Sequence, residues 1–163
     1  MVLPRAVADS APLLRVQNRE HGDARIGYAG EIAPGRGLEE LCDWTLCLRR
    51  SGYAVGVYIW ETSTLRHVGN ADAYREKMLE RFKACNIVFV SEVDRDENVS
   101  RLLEMDYVWC FRAREFEDAT YTACSCLVEM AAAGALCLCY PGKVNKEILG
   151  EEYPGYIKDY CEL

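Results

Sequence analysis

The sequence predicts a doubly wound α/β domain, a parallel sheet with helices on both faces. Three observations carry the prediction. Five short runs are apolar at nearly every position, the stretches between them repeat their apolar residues at helical spacing, and the two kinds of segment alternate without a break. A strand that is apolar on both faces needs cover on both sides, which crossover helices over a parallel sheet supply. Right-handed crossovers wind such a sheet in both directions from its middle.

The elements follow in order. Residues 1–24 mix Pro4, Pro12, charges and short apolar pieces without a sustained period, and read as a leader or inter-domain linker. The ordered domain is expected over 25–163. Residues 25–31 (RIGYAGE) form the first strand, and the Pro-Gly-Arg-Gly turn at 34–37 leads from it into a helix. Over 38–50, Leu38, Leu41, Cys42, Leu46 and Leu48 recur at near-helical spacing, with Gly52 placed as a C-terminal cap. Residues 54–59 (AVGVYI) are a buried strand. Asp72 is positioned to cap a helix running to Ala84 whose inner face is Tyr74, Met78, Leu79 and Phe82.

The alternation continues with a strand at 87–90 (IVFV), a short helix capped by Asp96 that carries Val99, Leu102 and Leu103, and a strand at 107–111 (YVWCF). A helix rich in small residues spans 121–133 and ends at Gly134. A strand at 136–140 (LCLCY) and a short helix at 146–149 complete the series.

Composition narrows the function. Of 163 residues, 26 are acidic and 19 basic, for a formal charge of −7 with no basic block. Broad nucleic-acid binding needs the opposite balance, because phosphate contacts supply most of its affinity. A nucleotide still fits an acidic protein through local backbone N–H groups and one or two cations. No apolar run approaches the roughly 18 residues of a membrane span, and no h-region opens the chain, so a cytoplasmic protein without a transmembrane segment is expected. The nine cysteines sit in apolar stretches such as Cys137-Leu138-Cys139 and Cys124-Ser125-Cys126, and read as reduced core residues. With no CxxC and only His21 and His67, neither a metal site nor a nucleophilic cysteine is indicated.

In an open parallel sheet, ligands sit beyond the C-terminal strand ends. Two loops and one helix there stand out. Residues 30–37 (GEIAPGRG) offer glycines that admit a ligand to the backbone and Arg36 for a phosphate; a glycine-rich turn with a solvent arginine explains the residues equally well. Neither a GxGxxG nor a P-loop is present. Residues 112–120 (RAREFEDAT) gather Arg112, Arg114, Glu115, Glu117 and Asp118 ahead of a helix N-terminus, or form a solvated charged loop. Glu129, set among apolar neighbours in LVEMA, suits a pair of vicinal hydroxyls such as those of a ribose, or reaches solvent.

Three blocks, IGYAGEIAPGRG at 26–37, IVFVSEV at 87–93 and LVEMAAAG at 127–134, resemble in order the C-terminal domain of GT-B glycosyltransferases related to the glycosyltransferase 4 family. The resemblance covers about residues 25–156 and implies a Rossmann-like, nucleotide-sugar-binding GT-B half. It implies a UDP- or GDP-sugar as donor substrate, metal-independent transfer of the sugar, no further cofactor, and a separate acceptor-binding N-terminal half as partner. It further implies that Glu129 binds the ribose, Arg36 stands at the family's phosphate-binding lysine, and Gly30 is the first-loop glycine. The position eight before Glu129, where the family's first glutamate contacts the donor sugar, is Tyr121; with a longer loop Glu117 or Asp118 supplies that carboxylate, and otherwise it is lost. Glu31 occupies the place of a second phosphate-binding arginine. No catalytic side chain is assigned to this chain, and its end is expected to fall before the domain's final helix. A degenerate binding module that has kept the sheet and lost transfer chemistry is the alternative.

Overall fold

A computed structural model describes residues 23–62, 70–119 and 123–157. The expected leader at 1–24 lies almost wholly outside them. The described chain runs β1 (Ala24–Gly30), α1 (Leu38–Arg50), β2 (Val55–Thr62), α2 (Asn70–Ala84), β3 (Val88–Val93), α3 (Arg95–Leu103), β4 (Tyr107–Trp109), α4 (Arg114–Ala119), α5 (Ser125–Ala132), β5 (Cys137–Leu138) and α6 (Lys143–Leu149). The strands form one five-stranded sheet in the order β3-β2-β1-β4-β5, every pairing parallel. This is the doubly wound, Rossmann-like arrangement that the alternation of elements predicts.

The strands β1, β2, β4 and β5 divide their side chains between two apolar layers, which is why their runs look apolar throughout in sequence, whereas Val88 and Val90 of the edge strand β3 are exposed. Ile26 and Tyr28 of β1, Val55, Val57 and Ile59 of β2, and Trp109 of β4 join Leu38, Leu41, Met78 and Phe82 beneath α1 and α2. Trp60, Val108, Cys137 and Cys139 face the other way, against Leu102 of α3 and Leu127 and Met130 of α5. Met78 and Phe82 are buried and Tyr74 and Leu79 partly so, as the spacing of α2 predicts. On α1 the buried face is Leu38, Leu41, Cys42 and Thr45, while Leu46 and Leu48 pack at its margin.

Thr45 is tolerated in that layer because its hydroxyl donates to the Leu41 carbonyl one turn back, at 2.6 Å, and so carries no unmet polar group into the core. Arg49 donates to the carbonyls of Val55 at 2.8 Å and of Cys85, tying the end of α1 to the start of β2 and the end of α2.

Several boundaries differ from expectation. α3 is capped by Asp94, whose carboxylate accepts from the Asp96 N–H at 3.4 Å, rather than by Asp96 itself, because Asp94 is the residue with extended backbone. The charged segment expected as a loop at 112–120 contains the helix α4. α5 begins at Ser125 rather than at 121, with Cys124 extended before it. α6 starts at Lys143, three residues earlier than its apolar spacing suggests. Beyond β5, Cys139 bridges Tyr156 in parallel fashion, so the chain after α6 returns to the sheet edge.

Candidate functional site

Strand order reverses between β1 and β4, and the crevice beyond their C-terminal ends is where an open α/β sheet receives ligands. A pocket of about 180 Å3 lies there. The loop after β1 lends it Gly30, Glu31 and Arg36, the end of β4 lends Cys110 and Arg112, and the start of α5 lends Cys124, Ser125 and Cys126.

The β1–α1 loop is held by the neighbouring strand. The Trp109 indole N–H donates to the Gly37 carbonyl at 2.9 Å, and the Ala113 N–H donates to the Gly35 carbonyl at 3.1 Å. Gly37 has φ +69°, and a Cβ there would lie 2.5 Å from the Phe111 carbonyl oxygen. Only glycine meets both demands. At Gly30 the constraint is the Tyr28 ring, whose hydroxyl would stand 2.9 Å from an added Cβ. That hydroxyl donates to the Glu31 carbonyl at 2.7 Å, and burial pushes its ionisation far above the ordinary tyrosine value.

Two arginines reach the pocket, and each has a carboxylate beside it. Arg36 pairs with Glu31 at 3.4 Å, with side chains 40% and 36% exposed. Arg112 makes a two-pronged pair with Glu117 at 2.6 and 3.0 Å, with side chains only 7% and 2% exposed, and its guanidinium lies over the Phe116 ring. The two pairs differ in strength for that reason. A half-exposed ion pair contributes at most about 1 kcal/mol, whereas removing one partner of a buried pair costs roughly 3–5 kcal/mol. An incoming anion can take Arg36 from Glu31 at little cost, while Arg112 stays with Glu117.

Of the residues singled out from sequence, the fold therefore brings Gly30 and Arg36 to one pocket. Glu117 is buried against Arg112 and is not among the pocket's lining residues. Asp118 lies on α4 with its side chain outside the described residues, and Tyr121 lies outside them altogether. Glu129 is exposed on α5 and is not part of the lining. It follows Cys126, which does line the pocket, by one turn of the same helix.

Sequence reasoning missed Arg112 as a lining residue distinct from its charged neighbours, and it missed the cysteines. Cys110, Cys124 and Cys126 reach the pocket, and Cys124 and Cys126 are only partly buried. The available signal was their position: 124–126 closes the segment before a helix, where side chains meet the ligand edge of the sheet. Cys42, Cys85, Cys137 and Cys139 are buried, as expected of core residues. The described residues contain no group of three or more histidine, cysteine or acidic side chains placed to hold a metal. No described helix is long and apolar enough to cross a membrane. No protein-family model matches the chain, and no curated protein matches it.

Proposed function

We propose that this chain is the donor-binding half of a metal-independent glycosyltransferase, holding a UDP- or GDP-sugar while a separate half supplies the acceptor. The observation that carries the reading is the convergence of Gly30, Arg36 and the first turn of α5 on one pocket at the point where strand order reverses. The diphosphate enters between the β1–α1 loop and the α5 N-terminus, where helix N–H groups and a cation complement negative charge. Arg36 exchanges its weak pair with Glu31 for a phosphate oxygen. As the sugar departs, charge grows on the nucleoside diphosphate, and Arg36 with the α5 N-terminus offsets it. Glu129, exposed one turn along α5 from Cys126, accepts hydrogen bonds from the ribose hydroxyls.

The buried Arg112–Glu117 pair reassigns one expectation. A carboxylate already committed to a guanidinium is a poor ligand for a sugar hydroxyl, so in this reading Glu117 positions Arg112 at the pocket wall and leaves the sugar to other groups. The rival reading is a binding module without transfer chemistry. Glu31 favours it, since a carboxylate stands beside Arg36 where a diphosphate would lie.

Calorimetric titration of the chain with UDP, GDP and their common sugar conjugates tests the proposal, repeated on Arg36→Ala and Glu129→Ala. Binding weakened at least tenfold in both variants supports the donor site. Absence of binding to every nucleotide overturns it in favour of the rival.

A further inference from the structure

Five cysteines, at 110, 124, 126, 137 and 139, gather on the side of the sheet that α5 covers, and the donor-site reading uses none of them. Among these thiols one pair stands apart. The Cys110 Sγ lies 3.8 Å from the Cys126 Sγ, with the Cys110 thiol donating to Cys126. Cys110 is buried at the end of β4, 4% exposed, while Cys126 is partly exposed in the first turn of α5; both line the pocket. One sulfur is thus reachable from solvent and backed by a second within van der Waals contact.

We propose that Cys126 and Cys110 are a reversible dithiol–disulfide pair, with Cys126 the sulfur that a hydroperoxide reaches through the pocket and Cys110 the buried sulfur that resolves it. Three features single out Cys126 as the first to react. It sits in the first turn of a helix, where peptide dipoles favour a thiolate. The S–H of Cys110 points at it, and this donation holds the Cys126 thiol below its ordinary value in spite of burial and of the opposing Glu129 charge. The same contact and burial push the Cys110 thiol well up, so the two thiols take unequal roles. Cys124 lines the same pocket, but burial pushes its thiol up. Cys137, the other thiol beside Cys110, is fully buried and out of an oxidant's reach.

The chemistry runs in two steps. The Cys126 thiolate attacks one oxygen of the hydroperoxide; an S–O bond forms, the O–O bond breaks, and the departing alkoxide takes a proton to leave as alcohol, or as water from hydrogen peroxide. The Cys110 sulfur, losing its proton, then attacks the Cys126 sulfur. An S–S bond forms, the S–O bond breaks, and the hydroxide leaves as water with the proton from Cys110. Two thiols are oxidised by two electrons and one hydroperoxide is reduced. Bond formation brings the sulfurs from 3.8 Å to about 2 Å and alters the pocket wall that both line. Thiol exchange with a small dithiol reverses the bond.

The experiment is peroxide treatment of the reduced full-length chain at equimolar hydrogen peroxide, followed by alkylation and peptide mass mapping. The expected product is a peptide pair joined through Cys110 and Cys126, lost on incubation with dithiothreitol. Cys126→Ser abolishes it, Cys124→Ser retains it, and Cys110→Ser leaves Cys126 as a sulfenic acid that dimedone labels. Mapping of the unmutated chain needs no variant, so a misfolded Cys110→Ser protein does not leave the question open. Full alkylation of both cysteines after peroxide overturns the proposal, as does a disulfide that joins Cys124 or survives Cys126→Ser.

Discussion

Replacing Glu117 by glutamine separates a structural carboxylate from a ligand-binding one. The Glu117 side chain is 2% exposed and receives two N–H bonds from Arg112, at 2.6 and 3.0 Å. Glutamine keeps the shape and one acceptor oxygen but removes the charge, and turns an NH2 group toward a guanidinium. A hydrogen bond to a charged group contributes about 1.5–3 kcal/mol, and breaking a buried ion pair costs about 3–5 kcal/mol; because one acceptor survives, the expected loss is about 3 kcal/mol. Urea unfolding followed by circular dichroism reads this directly. With a slope of roughly 1–3 kcal/mol per molar for small domains, the midpoint falls by at least about 1 M. Nucleotide affinity, measured where the variant is still folded, changes little. The double variant Arg112→Met/Glu117→Leu, which removes both buried charges together, is more stable than Glu117→Gln alone. A loss below about 1 kcal/mol, together with a tenfold drop in nucleotide affinity, refutes the reasoning and returns Glu117 to the ligand.

Three further outcomes follow from the geometry. Gly37→Ala combines a left-handed backbone with a 2.5 Å approach to the Phe111 carbonyl and costs more than about 2 kcal/mol, whereas Gly52→Ala, at φ +87° with no heavy atom within 4 Å, costs about 1 kcal/mol; thermal unfolding of the two side by side checks the difference. Trp109→Phe removes the indole N–H from the Gly37 carbonyl, which keeps the Leu41 N–H at 3.0 Å, so stability falls by about 1–3 kcal/mol and nucleotide binding weakens as the loop loses its anchor. Burial raises the Glu40 carboxyl above its ordinary 4.5, with Glu39, Glu115 and Asp43 adding repulsion. The folded state therefore holds this proton more tightly than the unfolded state, and its contribution to stability is lost as pH rises through the folded value. Glu40→Gln is accordingly more stable than the parent at pH 7, and the difference shrinks as pH falls through the raised folded value toward 4.5 and is largely gone below it; denaturant midpoints between pH 7 and about pH 4 test it.

How much of the site was legible depended on the range of the forces involved. Gly30 and Arg36 stood out because a glycine-rich turn between a strand and a helix is a local pattern, and the pocket forms where such a loop meets the switch point. Glu117 was visible only as one carboxylate in a charged run. That it faces Arg112 inward, with α4 folding the segment back on itself, follows from burial of the pair against neighbouring elements and leaves no mark in spacing. The cysteines misled for the same reason. Apolar surroundings in sequence suggested the interior for all of them, yet Cys124 and Cys126 sit at the entry to α5, where one turn of helix decides whether a side chain meets the core or the pocket.

The sequence by itself determined the architecture. Strands apolar on both faces, alternating with helices of one apolar face, admit few arrangements other than a covered parallel sheet, and this information is local at every step. Only the tertiary structure decided the order β3-β2-β1-β4-β5, the two-sided commitment of Arg112 to Glu117 rather than to solvent, and the meeting of Cys110 with Cys126 from segments sixteen residues apart. Each depends on which elements become neighbours once the apolar faces are buried together, and pairwise contact between distant segments is a property of packing rather than of any window of sequence.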